Sequence, residues 1–158
     1  MTSMWFKPKP KLEFKKSDAA LRQKLMDKIK QQQLKNEAEP VVSLEDFFTG
    51  NEDFGSIGCN LTPMLGPQVF YEQLKAIRSR PNVQGVLVEI RDTNENDPDP
   101  LMWPFSDQIY ILTSASHEEV VKWTAPLQPD EVEPTYINIR VQSIGLESGM
   151  EVYRVWWD

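Results

Sequence analysis

The segment Val83-Gln-Gly-Val-Leu-Val-Glu-Ile-Arg91 decides the fold of this chain. Its β-branched residues Val86, Val88 and Ile90 occupy alternate positions, and this period of two predicts a strand. A second short segment, Gln108-Ile-Tyr-Ile-Leu-Thr113, has four consecutive apolar residues and is therefore apolar on both faces. A strand that is apolar on both faces is typical of the middle of a sheet. We therefore expect this second strand to lie at the centre of the sheet.

The remaining elements extend this sheet and cover it. Two more strands are predicted at 135–141 and 152–157. Capping residues, prolines and apolar periodicity predict four helices: one that Ser17 caps, one from Ser43 to Gly50, one from Pro67 to Ser79 and one that begins after Ser116. The predicted order does not alternate strictly between strand and helix, as a doubly wound parallel fold would require. The sequence therefore predicts an α+β fold with an antiparallel sheet of about four strands, helices packed mainly on one face, and a preceding N-terminal helix.

Charge divides the chain into two parts. Residues 1–40 carry ten basic and five acidic side chains, a net charge of +5, whereas residues 41–158 carry seven and nineteen, a net charge of −12. We predict a basic N-terminal extension over 1–40 and an acidic α+β domain over 41–158. Within the extension, Leu21, Leu25 and Ile29 form a narrow apolar stripe on an otherwise polar helix. This helix should dock on the domain, pair with a second copy, or fray.

Composition and length restrict the class of protein. The chain has 158 residues, 40% of them apolar, which suits one hydrophobic core. Its single cysteine, Cys59, cannot form an intramolecular disulfide, which favours the cytoplasm. No secretory signal and no run of about 18 apolar residues is present. We expect a cytoplasmic protein without a membrane span.

An acidic segment, Asp92-Thr-Asn-Glu-Asn-Asp97, begins like the calcium-binding loop of an EF-hand. The pattern then fails, because Asp97 occupies the position that needs glycine and Trp103 occupies the position of the closing glutamate. Asp99 adds a further carboxylate. We interpret this segment as a solvated acidic loop between two strands.

Catalytic and phosphate-binding patterns are weak in this sequence. Cys59 and His117 are the single cysteine and the single histidine, but neither lies in a local catalytic signature. The segment Gly55-Ser-Ile-Gly58 lacks the lysine that a phosphate-binding loop needs. We therefore assign no catalytic residue, metal ligand or cofactor, and we consider an enzyme less favoured than a binding protein.

Two segments resemble known sequences. Val42-Ser-Leu-Glu-Asp-Phe-Phe-Thr-Gly-Asn-Glu-Asp-Phe-Gly-Ser-Ile-Gly-Cys-Asn-Leu61 and Trp103-Pro-Phe-Ser-Asp-Gln-Ile-Tyr-Ile-Leu-Thr-Ser-Ala115 look like parts of bacterial single-domain proteins of unassigned function. The resemblance covers much of residues 42–133. It implies no activity and no site residues.

Two functional hypotheses follow. The first is a small acidic binding module that engages a basic protein partner, by analogy with immunity or adaptor proteins. The second is a small-ligand-binding protein or an enzyme, with a pocket between loops 51–66 and 92–104 and the start of the helix at His117. Under either hypothesis the candidate binding residues are Asp92, Asp97, Asp99, Trp103, Phe105 and His117.

Two expectations concern other partners. The acidic domain should repel nucleic acid, so we expect none to bind. The apolar stripe of the N-terminal helix would also suit a homodimer.

Overall fold

A computed structural model describes residues 15–35, 39–135 and 145–158. Within these ranges, four helices span Ala19–Lys35 (α1), Leu44–Phe48 (α2), Pro67–Arg78 (α3) and His117–Thr124 (α4), and a 3₁₀ turn follows at Ala125–Leu127. Five strands are present in the described residues: Val41–Ser43 (β1), Val83–Glu89 (β2), Gln108–Thr113 (β3), Glu131–Pro134 (β4) and Glu151–Trp156 (β5).

The strands form one sheet in the order β1-β2-β3-β5-β4, and each neighbouring pair is antiparallel. The α+β class, the antiparallel sheet and the central place of β3 are confirmed. Within the described residues the sheet has five strands, where about four were expected. The difference arises at the two edges, since β1 and β4 are short.

The edge strands carry weak sequence signals. β1 has three residues, which are too few to show a period of two. β4 has one half-buried apolar residue, Val132, between two glutamates, and it ends at Pro134. Proline cannot donate a ladder hydrogen bond, so within a sheet it occurs mainly in edge strands such as β4. The strand predicted at 135–141 lies outside the described residues except for Thr135, which follows β4.

The main core lies between the helices and one face of the sheet. Strand residues such as Val88, Ile109 and Val155 share one buried cluster with Phe47 and Phe70 of the helices. Alternate strand residues point to the opposite face, where Tyr110, Leu112 and Val152 belong to a second, smaller cluster. Helices on one face of the sheet are therefore confirmed.

Local capping explains where three helices begin. The hydroxyls of Ser43 and Ser116 accept hydrogen bonds from the N–H groups of Asp46 and Glu119, at 3.1 and 3.3 Å, as the sequence predicted. For α1 the prediction was wrong, because the carboxylate of Asp18 accepts the N–H of Leu21 at 2.9 Å. An aspartate that follows Ser17 directly competes for the same role.

The buried face of α3 differs from the prediction at one residue. Phe70, Leu74 and Ile77 are buried, at the helical spacing of four and three residues. Val69, which was expected on this face, is 49% exposed. Its position, one residue before Phe70, turns it about 100° away around the helix.

Helix α1 docks on the rest of the chain. Leu25, Met26 and Ile29 are at most 3% exposed and belong to the main core. The Arg22 Nε also donates to the carbonyl oxygen of Met102 at 2.7 Å. Of the three arrangements that the apolar stripe allowed, the structure shows docking.

Among the described residues, none of the helices combines the length and the apolar character that crossing a membrane requires.

Candidate functional site

A cleft of about 510 Å³ opens between three segments of the chain. We call it the loop cleft. Its walls come from the segment before α1, from loop 51–66 and from loop 92–104. The residues that line it are Lys15, Lys16, Ser17, Glu52, Asp53, Phe54, Gly55, Met64, Asp99, Leu101 and Met102.

The buried side chain of Asn51 fixes the start of loop 51–66. Its amide nitrogen donates to the Ser56 hydroxyl at 2.9 Å and to the Phe47 carbonyl at 3.3 Å, and its amide oxygen accepts the N–H of Asp53 at 2.9 Å. Gln68 of α3 donates to the Asn51 carbonyl at 2.9 Å. Because both the side chain and the backbone of Asn51 are bonded, this part of the cleft wall has a defined shape.

Asp53 joins the two loops of the cleft. One carboxylate oxygen accepts the N–H of Gly55 at 2.9 Å, within the same loop. The other accepts the N–H of Trp103 at 3.1 Å, fifty residues further along the chain. Hydrogen bonds to an ionised carboxylate are stronger than neutral ones, so Asp53 holds the two walls together.

The segment before α1 is attached to the same structure. The Ser17 hydroxyl accepts the N–H of Glu52 at 3.0 Å, and the N–H of Asp18 donates to the carbonyl of Gly50 at 2.9 Å. Gly50 has a φ of +80°, and a Cβ atom there would lie 2.7 Å from a methyl carbon of Leu21. The close approach of this segment therefore requires glycine at position 50.

The aromatic ring of Phe54 lies against Gly66, the residue immediately before α3. A Cβ atom on Gly66 would come within 2.8 Å of this ring, and the φ of +85° also favours glycine. Gly66 thus leaves space for the Phe54 ring beside the loop cleft.

The loop cleft combines apolar and charged side chains. Phe54, Met64, Leu101 and Met102 supply apolar surface, and Met64 is 45% exposed. Glu52, Asp53 and Asp99 supply carboxylates, and Lys15 and Lys16 supply ammonium groups. Such a lining can bury an apolar group while its charged side chains contact a polar or basic one.

The structure distributes the predicted site residues over several places. Of the predicted aspartates, Asp99 lines the loop cleft. The carboxylates of Asp92, Asp97 and Asp99 each accept a backbone N–H from their own loop, at 2.8–2.9 Å. These are turn-forming bonds within the segment. In residues 15–35, 39–135 and 145–158, no group of three acidic, histidine or cysteine side chains could hold a metal ion.

The two predicted aromatic residues lie beneath and beside this loop. Trp103 is fully buried in the main core, and its indole N–H has no acceptor among the described residues. Phe105 is half-buried and pairs through its backbone with Asp92, which closes the base of the loop. Trp103 and Phe105 therefore contribute to the core and to the base of this loop.

His117 lies on another part of the molecule. It is exposed, its ring stacks on Tyr153 with centroids 6.0 Å apart, and its Nε2 is bonded to the carbonyl oxygen of Val132. It therefore contacts β4 and β5, and among the described residues it does not line the loop cleft. The third wall of the loop cleft, which we expected from the start of the helix at His117, comes from the segment before α1.

A second cavity of about 440 Å³, which we call the polar cavity, lies at one end of the sheet. It is lined by Arg91, Asp107, Gln108, Glu131, Arg154 and Trp156. Arg154 bonds to Glu131 at 2.9 Å and to Gln108 at 3.2 Å. These bonds satisfy much of its guanidinium group.

Beside the polar cavity lies a buried carboxyl group, Glu89. It is 6% exposed and accepts the hydroxyl of Tyr110 at 2.8 Å. Burial raises the pKa of Glu89, and nearby Glu39 and Asp107 raise it further, while the Tyr110 hydrogen bond and Arg91 oppose this change.

Comparison with known proteins gives one family. The sequence model described as the Uncharacterized protein YfbO family matches residues 20–155. "Uncharacterized protein YfbO" of Escherichia coli (strain K12) is 41% identical over 128 residues, which cover 75% of this chain and 83% of that protein. No solved structure matches. The match includes both loops of the loop cleft but not Lys15, Lys16 or Ser17.

Proposed function

This chain belongs to the Uncharacterized protein YfbO family, a bacterial family of unassigned function, and from that premise we propose that it is an acidic protein-binding module. In this proposal the loop cleft receives a basic segment of a partner protein that carries an apolar anchor. The loop cleft itself is the observation that supports the proposal, since it joins an apolar lining to three carboxylates.

The apolar part of the lining suits an inserted side chain. Met64 and Met102 are unbranched and can adjust to different shapes, which is useful at a binding surface. Complete burial of one large apolar side chain contributes about 1.5–3 kcal/mol. This contribution would supply the anchor of a weak to moderate complex.

The charge of the domain suits a basic partner. Residues 41–158 carry a net charge of −12, and Glu52, Asp53 and Asp99 bring part of it to the loop cleft. Complementary charge accelerates encounter and selects among partners more than it adds affinity. We therefore expect complex formation to weaken as salt concentration rises.

The remaining parts of the proposal concern place and other partners. We assign the protein to the cytoplasm because its single cysteine requires no oxidising compartment. Nucleic acid is excluded from the proposal because the domain is strongly acidic. A homodimer through α1 would have to use residues outside the buried stripe, such as Leu34, which is 88% exposed.

A second candidate function uses the same cleft. Its volume of about 510 Å³ lies within the range of small-molecule sites, which is about 300–1,000 Å³. A small apolar ligand would fit this volume and would need no partner protein. Native mass spectrometry of the purified protein distinguishes the two functions, because a retained ligand adds its own mass.

A substitution in the loop cleft tests the proposal. Met64 and Val69 are both large, apolar and nearly half exposed, at 45% and 49%, but Met64 alone of the two lines the cleft. We expect Met64→Glu to abolish capture of a basic protein from a lysate of the source bacterium. Val69→Glu should leave capture unchanged, because it adds the same charge elsewhere.

Capture is measured by affinity purification at low and high salt, with quantitative mass spectrometry. The proposal requires a basic protein at stoichiometric amounts that salt releases. Equal capture by both variants would contradict it.

A further inference from the structure

We propose that the first fourteen residues of this chain bind in its own loop cleft, with Trp5 and Phe6 as the apolar anchors. A partner protein would then have to displace this segment before it could bind. The inference rests on the proposed function, since it names a competitor for the same site.

The chemistry of the segment matches the lining of the loop cleft. Residues 1–14 contain an adjacent aromatic pair, three lysines and one glutamate. Met64 and Met102 offer apolar surface to an aromatic side chain, and Glu52 and Asp99 offer carboxylates to lysine. Among the described residues, neither of these two carboxylates forms an ion pair.

The position of the segment favours binding within the same chain. Lys15 and Lys16, which continue it directly, already line the loop cleft. Ser17 and Asp18 attach this point to loop 51–66 through their hydrogen bonds with Glu52 and Gly50. Phe6 lies nine positions before Lys15, so it can reach any point within about 30 Å of Lys15.

Attachment to the same chain makes even a weak contact effective. A short tether gives its segment an effective concentration on the order of 1 mM. If the free segment binds with a dissociation constant of about 0.1 mM, the attached segment reduces the apparent affinity of a competitor about tenfold. Such a contact would reduce the binding of weak partners to the loop cleft and would still allow a partner of high affinity to bind.

The experiment uses the full chain and a labelled synthetic peptide with the sequence of residues 1–14. Fluorescence anisotropy measures its affinity for the native chain, for the double variant Trp5→Ala/Phe6→Ala, and for the control variant Thr2→Ala/Ser3→Ala. We expect the Trp5→Ala/Phe6→Ala chain to bind the peptide about tenfold more tightly than the other two. Adding Met64→Glu to this variant should abolish binding.

Three results would overturn the inference: equal affinity for all three chains, binding that survives Met64→Glu, or no binding of the peptide. A native chain that light scattering shows to be dimeric, with a monomeric Trp5→Ala/Phe6→Ala variant, would also overturn it, since the segment would then bind a second copy. If all three chains bind the peptide equally and Met64→Glu still abolishes this binding, the inference alone is wrong. If Met64→Glu does not reduce capture of a basic protein from the lysate, the proposed function is wrong.

Discussion

Asp53 shows how much of the candidate site depends on one side chain. Its two carboxylate oxygens bond to Gly55 and Trp103, and so hold together the two loops that form the loop cleft. An aspartate two residues before a glycine indicates a turn in any sequence. Its second bond joins residues fifty positions apart, and no local pattern predicts such a contact.

Glu89 gives the stability of the protein a pH dependence. Its folded-state pKa is raised above the ordinary value of 4.5, mainly by burial, so the folded chain binds this proton more tightly than the unfolded chain. The resulting stabilisation is complete below about pH 4.5 and is lost as pH rises through the raised pKa. Within that pH window the contribution of Glu89 to the free energy of unfolding falls by at most about 1.4 kcal/mol per pH unit.

We therefore expect Glu89→Gln to remove this loss. Denaturant unfolding of both proteins between pH 4 and pH 8 measures the effect. The free energy of unfolding of the native chain should fall relative to that of the variant as pH rises. A difference between the two that stays constant over this range would contradict the assignment.

At the scale of elements, α1 contributes side chains to the main core. Ile29 is fully buried in the main cluster, whereas Leu34, one and a half turns further along the same helix, is 88% exposed. We expect Ile29→Ala to lower the free energy of unfolding by about 2–5 kcal/mol, as for other large-to-small core substitutions. The matched control Leu34→Ala should change it by less than about 0.5 kcal/mol.

Urea unfolding of both variants at constant pH measures these changes. Equally small effects would mean that α1 adds little to the core. A large effect at Ile29 with an unchanged dependence on urea would show that α1 unfolds together with the sheet.

The elements that could be predicted carry strong local signals. The alternation in β2, the apolar run of β3 and the serine caps of α2 and α4 each depend on residues within one segment. The edge strands β1 and β4 are short and are stabilised by pairing with β2 and β5. Their formation depends on the sheet beside them, which a local pattern does not contain.

The candidate site was predictable only in part, for a related reason. Loops 51–66 and 92–104 were identified because glycine, proline and acidic residues interrupt the apolar periodicity. The third wall comes from residues 15–17, which α1 brings to the cleft. Arg22 and Met102, which join α1 to the second loop, are eighty residues apart. The expected third element, the helix at His117, lies instead against β4 and β5.

At the scale of the whole molecule, charge and shape coincide at one place. Lys15 and Lys16 line one side of the loop cleft, and Glu52, Asp53 and Asp99 bring carboxylates to it from the two loops. The second, polar cavity offers two arginines, but Arg154 is already bonded to Glu131 and Gln108. The loop cleft is therefore the better candidate for binding a basic segment.

The most direct test of this claim is an NMR titration of the ¹⁵N-labelled full chain with the peptide Lys-Lys-Trp-Lys-Lys. We expect the largest amide shift changes at Asp53, Phe54, Met64 and Leu101, with Val121, an exposed residue of α4, unaffected. Shift changes concentrated around Arg154 and Trp156, or spread evenly over the acidic surface, would contradict the loop cleft as the binding site.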